Sequence, residues 1–214
     1  MRSRLSAVSL VALLVLSACS VVGGSGQVVT ETRQVSGFTA IDLAGFGEVS
    51  VEQGDSEALT IEADDNVLPN LTSEVSDSTL KLGTKPGVTV RTKNPIRYRV
   101  TVKDLTGVDV SGSGSVKAQG MTLQSLGVDI SGSGTLNLSG SAVEQHILVS
   151  GSGRYEAADL LSEKAGVEIS GSGDVAVAVS RELKIDISGS GTVTYSGNPS
   201  VQQDISGSGK VIKK

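Results

Sequence analysis

The sequence predicts an all-β protein: a right-handed parallel β-helix, or solenoid, with about seven recognisable rungs of 18–20 residues and an irregular insertion. Three observations predict it. The tetrapeptide Ser-Gly-Ser-Gly begins at Ser111, Ser131, Ser150, Ser170, Ser188 and Ser206, at intervals of 20, 19, 20, 18 and 18 residues. A fixed period of this size marks supersecondary units that bury their apolar faces by stacking on their neighbours. Each copy is flanked by alternating apolar and polar residues, the period-two signature of strands with one buried face. The chain also has no Trp, two Phe and three Tyr, which suits a core of stacked Val, Ile, Leu and Ala columns. A propeller blade needs about 40 residues, twice this period. Right-handed coiling follows from the handedness of parallel crossovers.

In chain order, residues 1–18 read as a lipoprotein signal peptide. Arg2 and Arg4 precede an apolar run from Leu5 to Leu16, too short for a mature transmembrane helix. Leu16-Ser17-Ala18-Cys19 resembles a bacterial lipobox, with Cys19 the only cysteine. Its thiol is the nucleophile that would accept a diacylglyceryl group, and more than one acyl chain gives stable anchoring. Residues 19–34 are expected to be the lipidated N-terminus and a flexible tether, on the strength of Gly23-Gly24-Ser25-Gly26. The β-helix domain then spans 35–214. An early rung lies at Ile41–Val51, where Ala44 and Phe46 replace the two serines. The insertion between Gly54 and Gly107 carries strand-like runs at Leu59–Glu62, Leu80–Leu82 and Ile96–Val102, and a turn or short helical corner at Asn66–Asn70. Six further rungs follow to the C-terminus.

The net charge of −5 gives no general attraction to nucleic acid. A single cysteine leaves no internal disulfide. The expected location is the cell envelope, periplasmic or at the cell surface, with the membrane reached through the lipid anchor.

The entry run Gly37-Phe38-Thr39-Ala40-Ile41, the Ser-Gly-Ser-Gly rungs and Thr194-Tyr195-Ser196-Gly197-Asn198-Pro199 together resemble the exported bacterial domains called "putative auto-transporter adhesin, head GIN domain". The resemblance covers roughly Val35 to Ile212. It implies a β-helical envelope protein, often a lipoprotein, with adhesion suggested by name and no catalytic residues to carry over.

Two surface patterns are candidate sites. Asp42, Asp109, Asp129, Glu168, Asp186 and Asp204 share one outward template position, interrupted by Leu148. Aligned carboxylates repel, so the sequence reading offsets them with a ladder of corner-serine hydrogen bonds, with basic neighbours or with Ca²⁺; no metal site is assigned, because the Gly-Gly-x-Gly-x-Asp pattern of calcium solenoids is missing. The second candidate is an acid-free run from Ser78 to Lys103 with seven cationic residues. Alternation there places Arg97, Arg99 and Lys103 on one outward face, which could bind an anionic glycan or envelope polymer; the competing reading is a solvated edge. His146, the only histidine, is expected at the surface, and Tyr155 and Tyr195 in the core. No catalytic set and no cofactor are assigned. The leading functional reading is a non-enzymatic adhesin-like binding scaffold. Its alternatives are a structural or sensory module acting through an envelope protein, and a glycan-active β-helix enzyme.

Overall fold

The computed structural model describes Ser20–Lys214. The expected signal peptide and Cys19 lie outside the described residues. The repeat region consists of parallel strands stacked into a β-solenoid.

The N-terminal half contributes β1 (Ser20–Gly23), β2 (Val28–Arg33), β3 (Ala40–Gly45), β4 (Glu48–Gln53), β5 (Ala58–Asp64), β6 (Leu71–Ser76), β7 (Thr79–Thr84), β8 (Val88–Arg91) and β9 (Arg97–Val102). A 3-10 turn at Leu68–Asn70 makes the expected corner. The repeats supply β10 (Gly107–Gly112), β11 (Ser115–Gly132), β12 (Thr135–Gly151), β13 (Arg154–Gly171), β14 (Asp174–Gly189), β15 (Thr192–Ser196), β16 (Ser200–Gly207) and β17 (Lys210–Lys213).

Each coil has three sides. The first carries the acidic template position, the second follows the Gly corner, and the third returns the chain to the next coil. On the first side the register is continuous from Gly45 through Gly112, Gly132, Gly151, Gly171 and Gly189 to Gly207. Those seven levels are the seven rungs of the sequence pattern, and five closed coils lie between successive Ser-Gly-Ser-Gly corners. Inward positions such as Val108, Val110, Ile130, Val149, Ile169 and Ile187 are buried. Burial at about 25 cal/mol per Å² of apolar surface is the principal stabilising term for such a stack.

The insertion is regular in one respect: it extends both sheets. β7 pairs parallel with β3 and antiparallel with β6. On the second side β9 pairs parallel with β4, then antiparallel with β5, which pairs antiparallel with β2. Antiparallel pairing lets short turns close this end without a further crossover. Arg33 secures it, its guanidinium donating to the carbonyls of Leu71 (2.9 Å) and Leu68 (3.1 Å).

The expected flexible tether is corrected by this arrangement. β1 pairs with β8, β2 with β5, and the link between them is held by Asn66 Nδ2 donating to the Gly23 carbonyl at 2.7 Å. Gly24 sits where any Cβ would collide with the Asp64 carboxylate. Its role is close packing, so the glycine cluster that suggested slack instead lets the chain lie against the body.

Candidate binding groove

The Ser-Gly-Ser-Gly corner is built from main chain. Ser172 N donates to the Gly151 carbonyl (2.7 Å) and Asp174 N to that of Gly153 (3.1 Å). Gly171 has φ +127°, and a Cβ there would lie 2.6 Å from the Gly151 oxygen. A Cβ on Gly173 would lie 2.5 Å from a Val149 methyl. The first glycine is needed for backbone conformation and the second for space. Among the described residues no side-chain hydrogen bond joins a corner serine to a column carboxylate, so the expected serine ladder gives way to these main-chain bonds.

The acidic column is present in register: Asp42, Asp109, Asp129, Leu148, Glu168, Asp186 and Asp204. Lys81 lies beside Asp42 at one end. Partial burial, with Asp42 and Asp129 on either side, raises the carboxyl pKa of Asp109 above the ordinary value. Among the described residues no group of three or more acidic, His or Cys side chains could hold a metal ion.

Arg97 and Arg99 project outward from β9 around buried Tyr98, whose hydroxyl pKa burial pushes up to about 12. Acidic side chains from both neighbouring strands meet them. Arg97 contacts Glu62 at 2.9 Å and Glu48 at 3.2 Å, and Arg99 approaches Glu62 at 3.8 Å. The hydrogen bond that Arg97 donates to Glu62 leads the effects that raise the Arg97 pKa. Lys103 follows the end of β9 and is exposed. The run is acid-free along the chain but interleaved with acids in space.

His146 is exposed, its ring 4.0 Å from Glu168. Tyr155 is fully buried and its hydroxyl donates to Gln145 Oε1 at 2.6 Å, while Gln145 Nε2 has no partner. Tyr195 is half-buried against the core.

A concavity lies on the third side, a groove of about 710 Å³ that was not foreseen from the sequence. It crosses five levels along the column Thr122, Ser141, Leu161, Ala178 and Ser196. Its floor is the adjacent column Leu123, Ala142, Ser162 and Val179, all buried. The uneven repeat length creates it. Ala157 and Leu161 of β13 align with the consecutive residues Val177 and Ala178 of β14, so the longer coil bulges beside the shorter one. Leu160 turns into the core and Leu161 is left outside, 67% exposed on the ledge. Hydroxyls join the slipped strands: Ser162 donates to the Ala178 carbonyl (2.9 Å) and Ser180 to that of Ser162 (3.1 Å). At the head of the third side the Gln53 side chain replaces a missing strand, accepting from Thr122 N at 2.9 Å.

The fold and groove define a β-solenoid scaffold with a long surface groove of mixed apolar and hydroxyl lining. The family model described as "Putative auto-transporter adhesin, head GIN domain" matches residues 37–199, and the chain belongs to that family. Three crystal structures share the fold. A putative adhesin from Bacteroides fragilis has 24% identity and TM-score 0.76, covering 90% of this chain and 100% of its own. A putative lipid binding protein from Parabacteroides distasonis has 22% identity and TM-score 0.60, covering 91% and 100%. A putative adhesin from Parabacteroides merdae has 24% identity and TM-score 0.55, covering 91% and 99%. Comparison with curated proteins gives no match. Among the described residues no helix is long and apolar enough to cross a membrane.

Proposed function

We propose that this chain is a non-enzymatic, adhesin-like binding protein of the cell envelope, anchored by lipid at Cys19, with the third-side groove as its contact surface. The observation that carries the reading is the groove itself. It is open, spans five levels and exposes Leu161 and Val143, where a scattered surface would leave single apolar residues. Family membership supports adhesion, and the names of the similar structures point to adhesion or lipid binding. The lipobox at Leu16–Cys19 supports the anchor. Ser20 already belongs to β1, which pairs with β8 of the insertion, so the anchor would hold the insertion close to the membrane with little slack.

A second reading keeps Arg99 and Lys103 as a contact for an anionic glycan or envelope polymer, because both remain exposed. The test is a binding array of envelope polymers, lipids and peptides probed with Ser20–Lys214, comparing the native chain with Leu161→Glu. Binding that disappears in the variant supports the groove; binding that is unchanged overturns it.

A further inference from the structure

We infer that the groove holds the single acyl chain of an uncharged amphiphile, such as a monoacylglycerol, laid along the rod axis. The inference rests on the groove being the contact surface and adds what occupies it. Length is the first argument. Five levels are four spacings of about 4.8 Å, roughly 19 Å. One leaflet of a bilayer core about 30 Å thick gives an acyl chain roughly 15 Å. The volume of about 710 Å³ lies within the roughly 300–1,000 Å³ usual for small-molecule sites.

Charge is the second argument. The charged side chain in the lining is Glu163, and it is held by Arg181 at 2.7 Å. Among the described residues no Lys or Arg lines the groove, and the Lys213 ammonium that reaches the rim is taken up by Asn198 Oδ1 at 2.9 Å. The rim instead offers neutral donors and acceptors at Thr122, Gln124, Ser141, Ser180 and Asn198, which suit the hydroxyls of an uncharged head. The third argument concerns main chain. A bound peptide strand needs a free sheet edge, whereas the strands crossing this groove are paired with one another from level to level. An alkyl chain makes no such demand. Sugar recognition by ring stacking has no aromatic partner in the lining.

The test is titration of Ser20–Lys214 with 1-monopalmitoylglycerol below its aggregation concentration, with palmitate as the charged counterpart. Two variants alter exposed groove positions: Leu161→Glu places a charge on the apolar ledge, and Ser141→Trp fills the groove. Val75→Glu changes an exposed valine on β6, in the insertion. Thermal melts check that all three fold. The expected result is saturable binding of the monoacylglycerol, stronger than that of palmitate. Binding should weaken about tenfold or more in both groove variants, since a buried charge or a filled site removes the apolar contact, and should be unchanged in Val75→Glu. No saturable binding, or equal binding by all variants, overturns the inference. If the groove variants abolish binding to an envelope polymer or peptide while the native chain ignores the monoacylglycerol, the acyl assignment fails and the groove reading stands. If neither ligand class depends on the groove, both fail.

Discussion

At Gly171 a side chain would meet the carbonyl of Gly151 in the coil before it, and at Gly173 a core methyl of Val149 in that same coil. Gly171→Val or Gly173→Val should therefore destabilise by about 1–3 kcal/mol or more, while Ser172→Ala on the exposed corner should cost no more than about 0.5 kcal/mol. Thermal melts that reverse this order would contradict the corner geometry. The buried Tyr155–Gln145 pair gives a second test. Tyr155→Phe leaves the Gln145 amide without its hydroxyl partner and should cost about 1–3 kcal/mol. Adding Gln145→Leu should recover much of that loss, a coupling that a double-mutant cycle measures directly. Asp109 supplies the pH dependence. Its folded pKa is raised, so in the window from the ordinary aspartate value upward the folded state binds more protons than the unfolded one. Stability from this group is present at low pH and falls as pH rises through that window. Asp109→Asn should melt later than the native chain at neutral pH, and the difference should vanish on acidification. A variant that melts earlier at neutral pH would show that the column carboxylates stabilise the fold.

The strands differ in what covers them. β11 to β14 have a ladder partner on each side, whereas β16 is exposed along its whole length, with Val201 and Ile205 partly uncovered. Hydrogen exchange should be fastest in β16 and β17 and slowest from β12 to β14, as expected when a repeat array opens from its ends; uniform protection would be the contrary result. Gln53→Ala should speed exchange at Thr122 N by removing its acceptor. The repeat strands were legible because the inward residues flanking each Gly corner obey period two and the corners recur every 18–20 residues. The strands β6 and β8 were missed, but β5, β7 and β9 of the insertion were legible too, from Leu59–Glu62, Leu80–Leu82 and Ile96–Val102. Their partners were not legible, because antiparallel pairing of β2 with β5 and of β5 with β9 depends on contacts distant in sequence. The same blindness affected the basic run: Glu48 and Glu62 reach Arg97 from other strands. Gly24 was ambiguous for a related reason, since close packing against Asp64 and a flexible link require the same residue type.

For the whole molecule, the proposed contact surface depends on a feature the regular pattern conceals. The step from a 20-residue coil to an 18-residue coil was visible at Ser150, Ser170 and Ser188. Which side absorbed the two residues was not visible, because Leu160-Leu161 can place either leucine inward without breaking the apolar count. Only the pairing of β13 with β14 puts Leu161 outside and opens the groove. Lipid attachment at Cys19 predicts that Cys19→Ser abolishes incorporation of a palmitate analogue and leaves unprocessed or released protein; equal, label-free membrane association of the two forms would contradict it. The most direct measurement compares envelope-ligand binding by Leu161→Glu with binding by the triple variant Arg97→Gln, Arg99→Gln, Lys103→Gln, each across a range of salt concentrations. The expected result is loss in the groove variant and retention in the triple variant, with little salt dependence because the contact is apolar. Loss confined to the triple variant, steepening as the Debye length shrinks to about 8 Å at physiological salt, would contradict the groove and place binding on the basic face.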